Sequence, residues 1–513
     1  MHERGTHIKK EPTRLALAGT SSHFPYFYHP FLTSLCVAPS RSCAQGAADK
    51  DGFFICGDTA QTISRGVGFR FTDVRSLFGG RPKLQPLLVN YRTHAGVLSA
   101  ANAIVALLMR LFPNTLDRLK DEQGHFLGPP PALLPETSPQ SVAELMLPAD
   151  DVGMLEMGAN QVVLVRSEAA KARLPLFLQS GLVLTVEESK GLEFDDVCIF
   201  DFFSDSPKEC AWLVINSLDG EAGTAASTSS DGCRSVAADG TRSIAFDINK
   251  HQVLCEELKS LYVGITRARK RCFVFDASEE RRAPLFKFLH RMGVAELGLE
   301  QVLSVSATRS LTKNTAEDWL RQGENMYSNQ LWSHAEFCFL KGGDEARAFD
   351  AGAKQLSADA NALRGGDPTA RAAAYNKSAT AWMQCAALQS PGFAREKCLR
   401  QAAKVWYASA GLFQGSLSSR SYREAGIVLR DGLCLQRDAL SCFIRAAEQS
   451  PRDRPAWQLA LEAARRLGAD DSSIGRLSFL AANATGADTA ALLANMEPLL
   501  DTFLSMDVEF GGA

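Results

Sequence analysis

No two of the 13 cysteines stand as a CxxC pair, and the nine histidines form no HExxH or similar cluster. The spacing signs of a zinc site are missing, so no metal site is expected, and reduced intracellular thiols are the simplest reading. An excess of one charge is missing too. The formal net charge is −3, which argues against a globally basic nucleic-acid coat and leaves room for a local basic groove. No apolar run reaches membrane-spanning length. The nearest to it, VLSAANAIVALLMRLF at 97–112, is interrupted by Asn102 and Arg110 and reads as a buried helix. The first residues lack the apolar core of a signal peptide. The expectation is an intracellular protein, nuclear or cytoplasmic, with no membrane partner.

What is present is a globular composition, 46% apolar and 22% charged over 513 residues, a length that suits about three domains. Residues 1–50 show no sustained periodicity and read as a poorly ordered or divergent leader. From Phe53 the character changes. FFICGD (53–58), QVVLVR (161–166), LVLTV (182–186), VCIFDFF (197–203) and CFVFD (272–276) are short β-branched and aromatic runs. They are continuous rather than alternating, as strands buried on both faces of a parallel sheet are. Helical patterns at about 95–111, 169–179 and 252–266 lie between them, and the alternation predicts an α/β layered domain over 51–295. The Gly/Ser/Ala-rich stretch 219–243 reads as a mobile insertion.

Residues 296–314 read as a linker, and 315–513 as an all-α helical repeat. Trp319, Gly323, Ala335 and Phe339 fall on the W…G…AxxxF spacing of a tetratricopeptide unit. Ala439, Phe443, Ala446 and Pro451 repeat its second half, and Ala379, Ala386 and Pro391 do so in part. Small residues let two helices approach, the aromatic fills the gap, and proline stops the second helix. A generic helical array is the other reading. Because each pair in such an array packs on its neighbours, it is expected to fold independently of 51–295.

Four segments carry chemistry. CGDTAQTI (56–63) places Asp58 and Gln61 after a strand. LVNYRTHAGVL (88–98) offers Tyr91 and Arg92 at a helix start. LTVEESKGLEFDDVCIF (184–200) sets Thr185 at a strand end and Lys190-Gly191-Leu192-Glu193 in a turn. LKSLYVGITRARKRCFVFD (258–276) ends a helix on Thr266-Arg267 and begins a strand. Each has a bland reading alone: a cap, surface packing, an ordinary turn, a salt-bridged helix end. In this order and spacing they resemble four successive motifs of the UvrD/Rep-like superfamily 1 helicases: GDxxQ, NYR, TxxxxKGLEF and YVxxTRA. The form GDTAQTISRGVGFRF and the helical second half resemble in particular the eukaryotic proteins that join a UvrD-like helicase core to tetratricopeptide and ankyrin repeats.

The resemblance implies a RecA-like fold of the P-loop NTPase type, with ATP and Mg2+ as cofactors and single-stranded DNA or RNA as partner. It implies Arg92 and Arg267 as arginine fingers on the γ-phosphate and Gln61 as the sensor of that phosphate and the attacking water. Asp58, Tyr91, Gly191 and Glu193 would belong to the nucleotide site, with Tyr91 near the adenine and Glu193 on the ribose. Thr185 would touch a nucleic-acid phosphate, Lys190 lies in the same turn, and Phe69 or Phe71 would stack on a base. The departures are as informative. GxxxxGK[ST] occurs nowhere, no DExxD-type segment precedes FFICGD, and the usual Thr-x-His is Thr185-Val186-Glu187. The expectation is the second motor domain of an ATP-dependent helicase or translocase, inactive alone because the phosphate loop is missing. The alternative is a non-enzymatic platform derived from a helicase, whose helical repeats bind protein partners.

Overall fold

The computed structural model describes residues 57–63, 70–77, 85–117, 120–134, 138–140, 157–207, 211–218, 234–236, 242–298, 315–363, 365–484 and 499. The expected leader, most of the strand expected at 53–58, and Phe69 lie outside the described residues. Ten strands are described: β1 (Val89–Asn90), β2 (Gln123–Gly124), β3 (Ala132–Leu134), β4 (Gln161–Val165), β5 (Leu182–Thr185), β6 (Phe194–Phe200), β7 (Arg234–Val236), β8 (Arg242–Ile244), β9 (Ala268–Phe275) and β10 (Glu296–Leu297). Six form one parallel sheet in the order β10-β3-β9-β6-β4-β5. β1 and β2 make a separate parallel pair, and β7 and β8 an antiparallel one.

The continuous apolar runs are strands because both faces of the sheet are covered. Val162, Leu164, Val197 and Ile199 point into one core with the helices Ala95–Leu111 and Gln252–Ile265. Val163, Cys198, Phe273 and Phe275 point into a second layer with Leu174 and Leu178. The helix expected at 169–179 is shorter, Glu168–Arg173, because Pro175 cannot continue it. The expected strand 197–203 stops at Phe200, where Asp201 takes φ +49°, and Phe202 and Phe203 leave the sheet to pack on Trp212. β9 begins four residues earlier than expected, because Arg271 is held on the neighbouring strand by Asp196 at 2.5 Å. β10 lies just past the expected domain boundary at 295. The insertion 219–243 is described only in part: 234–236 pairs with 242–244, at its far end.

Nine helices are described after residue 315, from Ala316–Ser328 to Asp471–Asn483, each packed on the next. The first pair does not stand apart from the α/β layer. Trp319, Met326, Ala335, Phe339, Ala348 and Ala351 belong to the same buried cluster as the sheet. His334 on the second helix hydrogen-bonds the carbonyl of Val183 at 3.0 Å. A second cluster begins at Ala353 and runs to Leu499. The division between the two cores therefore falls inside the helix Glu345–Ala362, between Ala351 and Ala353. Among the described residues, no helix is long and apolar enough to cross a membrane.

Candidate functional site

The helix Gln252–Ile265 ends in Thr266 and Arg267, and β9 starts at Ala268. Arg267 is 2% exposed. Its guanidinium donates to the carbonyls of Val263 (3.0 Å) and Leu192 (3.1 Å), to Thr266 Oγ1 (3.1 Å) and to Gln61 Oε1 (3.4 Å). Val263 lies in the last turn of the helix, where unsatisfied carbonyls favour a cation. Among the described residues no carboxylate lies within ion-pair distance of it. Burial, and then the charge of Arg92 nearby, lower its pKa to about 10.

Arg92 reaches the same place from another element. Asn90 at the end of β1 accepts from the backbone N–H groups of Arg92 and Thr93, both at 2.9 Å, and so folds the turn that carries Arg92. His94 caps the helix Ala95–Leu111 through Nδ1 and contacts the carbonyl of Lys270 through Nε2 at 2.7 Å, which ties that turn to β9. Arg92 then pairs with Glu193 at 3.1 Å. Glu193 and Leu192 are consecutive, so one short turn holds both arginines. Gly191 in that turn has φ +87°, a conformation that favours glycine. Asp58 caps the turn Thr59–Gln61, accepting from Ala60 N–H (2.9 Å), from Gln61 Nε2 (3.0 Å) and from the Tyr262 hydroxyl (2.8 Å).

Asp58, Gln61, Arg92, Glu193 and Arg267 are thus brought together by elements up to 209 residues apart in the chain. Tyr91, beside them in sequence, is 68% exposed and stacks obliquely on His125. The cluster sits at the amino ends of β6 and β9. Thr185 closes the carboxyl end of β5 and does not join it. The Thr185 hydroxyl accepts from Glu188 N–H (3.2 Å), while Glu188 accepts from Thr185 N–H (2.7 Å) and from Lys171 (2.5 Å). Burial alone would raise the Glu188 carboxyl, but these donors hold it below its ordinary value. Lys190 is exposed, and Glu187 beside the turn is exposed as well. Phe71 is half-buried at the start of the helix Phe71–Leu77, where its N–H donates to Asp117 at 2.7 Å.

Three participants were not singled out from the sequence. Tyr262 holds Asp58, and burial followed by that carboxylate raises its phenol. Lys259, one turn earlier on the same helix face, is buried without an ion pair among the described residues, and burial lowers its pKa. Thr93 has a buried hydroxyl with no hydrogen-bond partner among the described residues. A lysine inside the otherwise apolar stretch LKSLYVGI was the available signal for Lys259.

A parallel α/β domain whose two arginines meet on a Lys-Gly-Leu-Glu turn is of the RecA-like kind found in nucleic-acid motors. Residues 161–279 match the family of the UvrD-like helicase C-terminal domain. The chain is also 36% identical over 320 residues to TPR and ankyrin repeat-containing protein 1 of Homo sapiens. The aligned part is 58% of this chain and 11% of that protein, so the chain spans about a ninth of the relative's length.

Proposed function

We propose that residues 57–298 act as the second motor half of a superfamily 1 helicase or translocase, completing an ATP site whose phosphate loop lies on another domain. The observation that carries this reading is the meeting of Arg92 and Arg267 on the consecutive residues Glu193 and Leu192. Phosphoryl transfer asks little covalent chemistry of the protein and much positive charge at one point. The residues suit the phosphate end of ATP: two guanidiniums, the buried Lys259, and the orphaned Thr93 hydroxyl. Arg92, the more exposed arginine, would exchange Glu193 for the γ-phosphate and free Glu193 for the ribose. Arg267 is enclosed, and its part would be to hold Gln61 toward the attacking water. Tyr91 offers an open ring face to the adenine. Mg2+ would be held by the other half of the cleft, because Asp58 is already engaged by three donors.

Single-stranded nucleic acid would run along Thr185 and Lys190, with Phe71 or Phe69 stacking on a base for roughly 1–3 kcal/mol. One observation favours the second reading, a non-enzymatic platform. Thr185 is closed on Glu188, and Glu187 would repel a phosphate backbone. In that case the helical repeats, binding protein partners, carry the function.

The chain alone is expected to show no measurable ATP turnover. Joined to a first motor domain that carries the phosphate loop, Arg92→Ala should lower kcat by about 10³-fold or more with little change in KM. Turnover by the isolated chain that disappears in Arg267→Ala, or an unchanged kcat for Arg92→Ala in the joined protein, would overturn the reading.

A further inference from the structure

Away from the sheet, three consecutive helices of the array bring two thiols and a carboxylate to one point. Asp350 lies on Glu345–Ala362, Cys385 on Pro368–Leu388 and Cys398 on Phe393–Ala410. Their donor atoms all lie within 4.8 Å of one another, and the two sulfurs are 3.1 Å apart. Both cysteines are buried. The geometry points to a zinc site made by Asp350, Cys385 and Cys398, a structural tie across three helices that no CxxC spacing announces.

The fit is chemical as well as geometric. Zinc takes thiolate sulfur at about 2.3 Å and carboxylate oxygen at about 2.0–2.2 Å in a tetrahedron. Two sulfurs on one tetrahedral zinc stand about 3.8 Å apart on those bond lengths, so the pair would open by less than one ångström. Binding would release the two thiol protons to solvent, with no change of oxidation state. Two thiolates, one carboxylate and Zn2+ leave a net charge of −1. Lys354, whose ammonium is 3.8 Å from Asp350, supplies the compensating charge. Tyr327 donates to Asp350 Oδ2 and is itself hydrogen-bonded by Lys354, so the carboxylate is oriented by its surroundings as metal-bound carboxylates are. Water would fill the fourth position. A disulfide between the same sulfurs is the competing chemistry; it would leave Asp350 to Lys354 and Tyr327 alone.

The test is the metal content of the full chain, purified without chelator and reconstituted with Zn2+, together with a thiol count on the denatured protein. One zinc per chain is expected, released in step with the modification of two thiols. Cys385→Ser and Cys398→Ser should reduce the zinc content to near zero, while Cys442→Ser, a buried thiol elsewhere in the array, should leave it at one. Tyr327→Phe keeps all three ligands and should weaken zinc binding by about 10–100-fold. Cobalt in place of zinc should give a thiolate charge-transfer band that is absent in Cys398→Ser. A chain that binds no metal while both thiols titrate freely would overturn the site. So would a denatured chain with two thiols missing and closed as a disulfide.

Discussion

Asp201 ends the central strand with a left-handed backbone and a half-buried side chain. Burial raises its carboxyl to about 6, against the pull of the Ala277 N–H at 2.8 Å, and Asp276 and Asp205 add to the rise. The folded chain therefore keeps this proton at pH values where the unfolded chain, with an ordinary value of 3.8, has lost it. Stability from this group is present below about pH 4 and is lost as pH rises through about 6. Asp201→Asn keeps the acceptor for Ala277 and tolerates positive φ. It should be more stable than the parent at pH 7 by on the order of 1 kcal/mol, discounted for solvent screening. Urea unfolding at pH 7 and near pH 4 checks this, since the gain should shrink toward zero at the lower pH. The same arithmetic bears on the candidate site. Arg267 is lowered by burial and by Arg92, yet at about 10 it remains a cation at neutral pH, which is what an anion-binding position requires.

At the scale of elements, one packing unit occurs twice in the array. A side chain at Gly323 would come within 2.6 Å of the Phe339 ring, and one at Gly426 within 2.5 Å of the Phe443 ring. Ala335 and Ala439 stand four residues before those aromatics, both buried. Gly323→Ala and Gly426→Ala should each cost about 1–3 kcal/mol, because a fixed ring cannot step aside as a long flexible side chain can. Thermal unfolding measured by circular dichroism tests this, and a neutral Gly426→Ala would mean that the second unit is not a structural repeat of the first. The sequence made the half-unit Ala439–Phe443 legible through its spacing. Gly426 was not, because its helix lacks the tryptophan that marks the first unit. The long strands β4, β6 and β9 were legible for a similar reason: a short, unbroken run of β-branched and aromatic residues suits a strand covered on both faces better than an amphipathic helix. β3 and β10, with three and two residues, are too short to carry a period, and only their pairing makes them strands. Arg92, Glu193, Gln61 and Arg267 were legible by motif, while Tyr262 holding Asp58 across 204 residues and the burial of Lys259 depend on tertiary packing that a local pattern does not encode.

For the whole molecule, the buried cores do not follow the boundary between the sheet and the helical array. The α/β layer and the first helical pair share one core, and the later helices another. Trp319→Ala should therefore cost about 3–5 kcal/mol and loosen β5 and β6 along with its own helix. Hydrogen exchange tests this: protection should fall together in 182–200 and 316–341 and persist in 436–467. Loss confined to 316–341 would restore the independent array expected from the sequence.

The contact between His334 and Val183 has one more consequence. Among the described residues β5 is the last strand on its side of the sheet, and a strand in that position offers its backbone to any other chain that can pair with it. His334, on the second helix of the array, occupies one of the carbonyls of β5. That carbonyl would be left bare in an α/β domain cut free of its helices, giving a second chain a place to pair along β5.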